Sequence, residues 1–382
     1  MTMPKTNLIG QTKQCPDGYK AFIPNKFPQD ETWDFPRELL LKHSIAERLL
    51  GKLDGITQLL PDIEFFLLMY IRKDATSSNQ IEGTQATMID VIEAEAKTSG
   101  TLPTDVDDIQ HYIKALNYGM KRLNEFPLSL RFIRELHKEL LEGARATQFS
   151  NPGEFRKSQN WIGGTSPTNA RYVPPPPHEM QSALVDFENF LHQKSELLPL
   201  FKIGLIHAQF ETIHPFLDGN GRTGRLLITL YLWHEKILEK PMLYLSSYFK
   251  KHQRNYYDRL DQYHQGEVTA WLDFFLDGII EISTQAIETS RSITSIRMED
   301  MDKVQLLGKT AAESAGLVLR KLFSLPIVNV NNVKEWTGLT RQGAQRVINR
   351  LVELEILEQK DKAATYGRSF IYRRYVDAFM DE

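Results

Sequence analysis

Cys15 is the only cysteine in the chain, so no internal disulfide can form. That suits a reducing compartment, and a cytoplasmic location is expected. Long apolar runs are missing too. The most apolar stretch, FFLLMYI at 65–71, falls far short of the roughly 20 residues a bilayer-spanning helix needs. The start, MTMPKTNLIGQTKQ, lacks the apolar core of a signal peptide, and no membrane partner is expected. A formal net charge of −3 gives no polyelectrolyte signal, so any nucleic-acid surface must be local. No internal repeat is visible. What is present is an ordinary globular composition, 41% hydrophobic and 25% charged, in 382 residues that can fill two or three compact units.

Residues 1–36 show little periodicity and predict an extended arm packed on the rest. Apolar residues at three- and four-residue spacing predict helices from about 37 to 97, over DDIQHYIKALNYGMKRL and LRFIRELHKELLEG, and again at 178–194, 198–213, 223–237 and on to about 300. Between them, residues 145–177 alternate short β-prone pieces with Gly and Pro, the pattern of a hairpin or flap. The four prolines at 174–177 suit a stiff polyproline segment. After Leu325-Pro326 the character changes to helix, turn, helix and β-hairpin.

Two of the apolar helices are interrupted by HPFLDGNGRTGR, residues 214–225. Gly219, Gly221 and Gly224 permit positive φ and close approach of a ligand. A glycine-rich turn opening a helix aims several N–H groups at one point, where the helix dipole adds positive potential; such a nest binds phosphate. Arg222 and Arg225, three residues apart, match phosphate oxygens bidentately, and Asn220 adds an amide donor. Asp218 makes sense beside a polyphosphate if it holds Mg²⁺. His214 can take a proton from a hydroxyl near pH 7. Any one of these residues could be structural, as a cap or a packed side chain. Their conjunction in twelve residues makes a poor structural turn and a good polyphosphate site with a base alongside.

The stretch resembles the signature of the Fic family, HPFx(D/E)GNGRxxR, at every fixed position, and the likeness extends over roughly 20–290. The resemblance implies a mainly α fold: a helical core with a short β-hairpin flap that transfers AMP from ATP to a Ser, Thr or Tyr hydroxyl of a target protein, self-modification included. It implies that His214 is the general base, Phe216 the anchor of the loop, and Asp218 the Mg²⁺ ligand. Gly219, Asn220, Gly221, Arg222, Thr223 and Gly224 would cradle the phosphates, and Arg225 would clamp the γ-phosphate. Asn160, Trp161, Ile162 and Gly163 fall at the flap edge that pairs with the target backbone and covers the nucleotide. Tyr256 and Tyr257 correspond to adenine-side aromatics, with His264 one helix face further on; half-buried packing is an equal account of the tyrosines.

SSNQIEGT, residues 77–84, is similar to the family's inhibitory pattern (S/T)xxxE(G/N), carried by Ser78, Glu82 and Gly83. The resemblance implies that Glu82 pairs with Arg225 and keeps it from the γ-phosphate.

At the C-terminus, Thr340 is an expected N-cap, and Ala344, Val347, Ile348, Leu351 and Val352 form one apolar face. Arg341, Arg346 and Arg350 then point outward. With the basic hairpin that follows, this resembles a winged helix-turn-helix, for which DNA and protein contact both remain open as partners. The expected domains are 1–103, carrying the inhibitory motif; 104–300, the catalytic core; and 308–382, the winged helix. Three alternatives stand beside AMP transfer: removal of AMP, transfer of another phosphate-containing group, and a nucleotide-sensing DNA-binding regulator. Homodimerisation is left open.

Overall fold

The computed structural model describes residues 9–27, 33–58, 63–98, 102–144, 151–194 and 196–380. The expected arm contains an antiparallel hairpin, β1 (Gly10–Gln14) and β2 (Lys20–Pro24), registered Thr12 to Phe22. Then come α1 (Arg37–Gln58), α2 (Ile63–Ile81), α3 (Met88–Ala96), α4 (Val106–Arg122) and α5 (Leu130–Leu141). After the loop region follow α6 (Pro177–His192), α7 (Pro199–Ile213), α8 (Asn220–His234), α9 (Ser246–Lys251), α10 (Gln253–His264) and the long α11 (Val268–Gln305). The C-terminal unit is α12 (Lys309–Leu322), β3 (Ile327–Val328), α13 (Val330–Thr337), α14 (Arg341–Glu353), β4 (Glu358–Gln359), β5 (Phe370–Ile371) and α15 (Arg373–Asp377).

Local chemistry sets many of the boundaries. Pro177 and Pro199 each occupy the first turn of a helix, where a missing N–H costs nothing. Pro174, Pro175 and Pro176 are buried and lead into α6. Thr87 with Asp90, and Asn329 with Asn332, form capping boxes that start α3 and α13. Ser129 caps α5. Gly338 closes α13 in the left-handed conformation, and Thr340 caps α14 as expected.

The site rests on α7 and α8. From Leu200 to Ile213 every residue of α7 is buried, so the helix runs through the middle of the protein. Helix α8 is buried from Arg222 to Leu232. Around this pair, α1 lies against α11 and α4 against α5. Trp271 on α11 donates to the Gly204 carbonyl (2.8 Å), tying α11 to the centre.

In the C-terminal unit α12, α13 and α14 pack on one another, and a three-stranded antiparallel sheet, ordered β3-β5-β4, meets α13 through β3. Ala344, Val347, Ile348 and Leu351 are buried as expected; Val352 is 37% exposed and leaves that face, since it lies one residue past Leu351 on the helical wheel. The sequence pattern misses α12, whose Ala315, Val318, Leu319 and Leu322 are fully buried.

Candidate functional site

His214 ends α7 in the left-handed conformation (φ 48°, ψ 61°), uncommon for a residue with a side chain. Its surroundings over-determine it. Its N–H donates to the Phe210 carbonyl (2.9 Å). Arg156, from the flap, donates through Nε to the His214 carbonyl (2.9 Å) and through a terminal nitrogen to the Pro175 carbonyl (2.6 Å). The Arg156 N–H reaches the Pro215 carbonyl (2.9 Å). One buried guanidinium thus staples the motif loop to the flap, and burial pushes it down to about 10.

The next residues close the turn. Phe216 is fully buried and stacks on the His137 ring at 3.7 Å. His137 Nδ1 accepts the Gly153 N–H (2.8 Å), so Nε2 carries the proton and donates to the Asp218 carbonyl (2.9 Å). Asn220 accepts the Phe216 N–H (2.8 Å) and donates to its carbonyl (2.9 Å). The Asn220 amide, expected on phosphate, is therefore spent on the loop. Asn160, expected at the nucleotide, likewise donates to the Phe216 carbonyl (2.7 Å) from a buried position. Both are loop fasteners, because each faces a carbonyl that water cannot reach.

The three glycines divide their work. Gly219 takes the left-handed conformation (φ 74°) that starts α8. A Cβ on Gly224 would lie 2.6 Å from Glu211 Oε1, so this glycine serves packing against α7 and not a phosphate. A Cβ on Gly221 would lie 2.6 Å from Glu82 Oε1, so the Glu82 carboxylate covers the first turn of α8. Thr223 is fully buried, and its hydroxyl has no partner among the described residues.

Glu82 and Arg225 meet as expected. A terminal nitrogen of Arg225 donates to Glu82 Oε1 (2.7 Å), while Nε and that same terminal nitrogen reach the Ser78 hydroxyl (2.8 Å) and carbonyl (3.0 Å). Gly83 follows at φ 97° and turns the chain away. Burial alone would raise the Glu82 carboxyl, but Arg225, Arg222 and His214 hold it below its ordinary value. Arg225 is buried, and Glu82 keeps it charged against the cost of burial. Arg222 is less well served. Among the described residues it has only long contacts, to Asn79 (3.4 Å) and Asp218 (3.5 Å), and its Nε is buried without a partner. An under-coordinated buried guanidinium at a helix N-terminus is a site for an anion.

Asp218 is about one-third exposed, with one carboxylate oxygen on the Gly219 N–H (2.6 Å). Among the described residues no group of three or more potential metal ligands clusters. A lone carboxylate beside unsatisfied cationic donors does fit Mg²⁺ carried in with phosphates, which supply most of its ligands.

Burial and Arg156 push the His214 imidazole down to about 4, with Glu82 and the Glu211 carbonyl pulling the other way. Its Nδ1 is buried, 3.7 Å from Glu211 Oε2, which leaves Nε2 for an incoming hydroxyl. Glu211 is itself buried, and burial raises it to about 7. Sequence reasoning misses Arg156, His137 and Glu211. Only Glu211 carries a signal, one helical turn before His214.

The aromatic expectations split. Tyr256 is 1% exposed and donates to His207 Nε2 (2.8 Å), whose Nδ1 donates to the Gly224 carbonyl (3.1 Å). It belongs to the core and cannot stack on a base. Tyr257 stays half-buried, with the Arg171 guanidinium 5.9 Å from its ring. His264 also leaves the site. It stacks on Tyr172 (4.2 Å) and donates to the Thr212 hydroxyl (3.0 Å), lining a separate cavity of about 640 Å³ between the hairpin, flap and α10. In the flap, Ile162 pairs with Tyr172, Gly163 has φ 69°, and Trp161 is 39% exposed. Arg171 bridges the flap to Asp258 (2.7 Å) and Asp261 (2.6 Å) on α10. On the other side, the Phe22 N–H of β2 donates to the Val173 carbonyl (2.9 Å).

These features define a mainly helical protein organised around a stapled loop between two buried helices. Residues 127–232 match the Fic/DOC family and residues 40–121 the Fic/DOC family N-terminal region, so the chain carries a Fic/DOC domain with that N-terminal region before it. It is 31% identical over 167 residues to the protein adenylyltransferase Fic of Aedes aegypti, covering 43% of this chain and 30% of that protein. To the protein of that name from Drosophila grimshawi it is 30% identical over 178 residues, covering 44% and 33%. The chain thus spans about a third of the length of the curated relatives it matches. The fold is that of a Fic family protein from Desulfovibrio desulfuricans G20, at TM-score 0.58 and 18% identity over 90% of this chain and 98% of that one. A Fic domain containing signaling protein from Bacteroides thetaiotaomicron VPI-5482 superimposes at TM-score 0.52, with 22% identity over 64% and 97%.

Proposed function

We propose that the chain is a protein adenylyltransferase held inactive by Glu82. The observation that carries this reading is the Glu82 carboxylate lying over the first turn of α8, on Arg225 and beside His214. An acid placed where helix dipole and guanidinium converge occupies an anion site, and the base nearby is otherwise without use. The anion is ATP. Arg225 would take its γ-phosphate, and Arg222 and the N–H groups of Asn220 and Gly221 its other phosphates. Asp218 would hold Mg²⁺, whose charge neutralises the phosphates. The acceptor hydroxyl forms a bond to the α-phosphorus, its proton passes to His214 Nε2, and the bond to the β-phosphate oxygen breaks to release pyrophosphate. The target backbone lies along the flap at Trp161 to Gly163, and the chain can modify itself. Removal of AMP fits the same carboxylate, with Glu82 orienting a water.

The test is incubation with ATP labelled at the α or γ position. Glu82→Gly should raise self-labelling by α-label only, well above wild type, and Arg225→Ala in addition should lose much of that gain because both act on one contact. Labelling unchanged by Glu82→Gly, or by γ-label, defeats the proposal. A second reading, a DNA-binding regulator, draws on α14: Arg341 and Arg346 are exposed and make no ion pair among the described residues.

A further inference from the structure

The C-terminal unit is bolted to α2, the helix that ends just before Glu82. Arg72, on α2, is 5% exposed and bridges two partners. Its Nε donates to Glu95 of α3 (3.2 Å), and a terminal nitrogen donates to the Ser324 carbonyl of the C-terminal unit (2.9 Å). Phe66 and Tyr70, also on α2, meet Phe379 at ring distances of 5.8 and 5.3 Å. Helix α3 is gripped as well. Lys360 pairs with the buried Glu93, and Asn332 donates to the Ala96 carbonyl (3.3 Å). The unit is itself anchored on α11, where fully buried Asp300 accepts from the Tyr372 hydroxyl (2.6 Å) and from Arg374 (3.0 Å).

One rigid helix therefore joins two grips. From Arg72 to Ile81, α2 covers roughly 14 Å at 1.5 Å per residue. Its far end carries Ser78, Asn79 and Glu82 onto Arg225 and Arg222, and Gln253 also donates to the Ile81 carbonyl there (2.9 Å). A helix transmits displacement along its axis, because stretching it breaks backbone hydrogen bonds in series.

We infer that the C-terminal unit, acting through Arg72 and α2, sets how firmly Glu82 covers the α8 N-terminus. Arg72 is a positioning residue in this account. Whatever loosens the unit from α2 and α3 loosens the block. The inference rests on the reading of Glu82 as the inhibitor, and its test separates the two.

The test uses the full chain with Lys360→Glu, which opposes Glu93, and Arg72→Lys, which keeps the charge for Glu95 but cannot span to Ser324. Melting curves confirm that both variants fold. Hydrogen exchange is read at the amides of Glu82, Gly83 and Thr84, which bond to the Asn79 and Gln80 carbonyls. Both variants should exchange faster there. Both should also self-label several-fold faster with α-labelled ATP, with no further gain in a Glu82→Gly background. Unchanged exchange in both variants overturns the coupling. So does faster exchange with wild-type labelling when Glu82→Gly alone labels strongly. If Glu82→Gly itself fails to label, AMP transfer falls, and the exchange rates still decide the coupling.

Discussion

His214 is held by its backbone and left free at one ring nitrogen. The positive φ turns the imidazole out of the α7 axis, and Arg156 keeps the turn from relaxing. A base needs its neutral form at working pH, and burial supplies it. His214→Ala should reduce labelling of the Glu82→Gly protein by roughly 10²–10⁴-fold while ATP binding persists. In that same background the rate should stay level near neutrality and fall only as pH approaches about 4, or lower, because the upward pull of the Glu82 carboxylate on His214 is gone. An acid limb at the ordinary histidine value of about 6.5 would show that the base works unburied. The residues proposed to bear chemistry were read from their types, His214, Asp218 and the two arginines, and Glu82 from its resemblance to an inhibitory pattern. The residues that hold them were not. Arg156 and His137 reach the motif through hydrogen bonds across 58 and 81 residues of chain, and no local pattern records such pairings. Asn220 and Asn160 mislead for a related reason. An amide that suits phosphate suits a buried carbonyl equally well.

At the scale of elements, α14 presents Arg341, Gln342, Arg346 and Asn349 to solvent and its apolar face to the unit. Lys360 and Arg373, which belong to the same basic region, are already paired with Glu93 and Glu358. Phosphate contact is therefore left to α14 with Lys362 and Arg368. Weak duplex binding is expected that fades as salt rises, and Arg341→Ala with Arg346→Ala should flatten the salt slope by about two phosphate contacts. A mobility shift at low salt checks it, and no complex would leave protein contact as the use of this face. Helix α14 was readable because cap, periodicity and charge agree. Helix α12 was missed although Ala315, Val318, Leu319 and Leu322 keep helical spacing: its first turns, KTAAES, carry no large apolar residue, and its burial comes from α11, α13 and α14.

The whole molecule carries an acid weakness. His137 and His207 are fully buried and pushed down to about 4 and about 3, chiefly by burial. Below about pH 6.5 the unfolded chain takes up protons that the folded chain refuses, so stability falls as pH drops toward those folded values, by about 1.4 kcal/mol per pH unit for each histidine. Glu211 opposes this: raised to about 7, it binds its proton more tightly in the fold and favours lower pH. With His214 and His264 also pushed down by burial, to about 4 and about 3, four histidines against one carboxyl should lower the melting temperature between pH 6.5 and 5. A flat melting profile there would mean that these rings do not stay neutral in the fold.

The flap is fastened along one side by β2 at Val173 and pulled down on α10 by Arg171. Among the described residues the extended segment bearing Trp161 and Ile162, bridged to Tyr172, then has its other edge unclaimed. A target polypeptide docking there as proposed would find a single berth. It would come alongside by its main chain in that one lane, and the hydroxyl it delivers would be chosen by how far along the lane it sits from His214, whatever its neighbours happen to be.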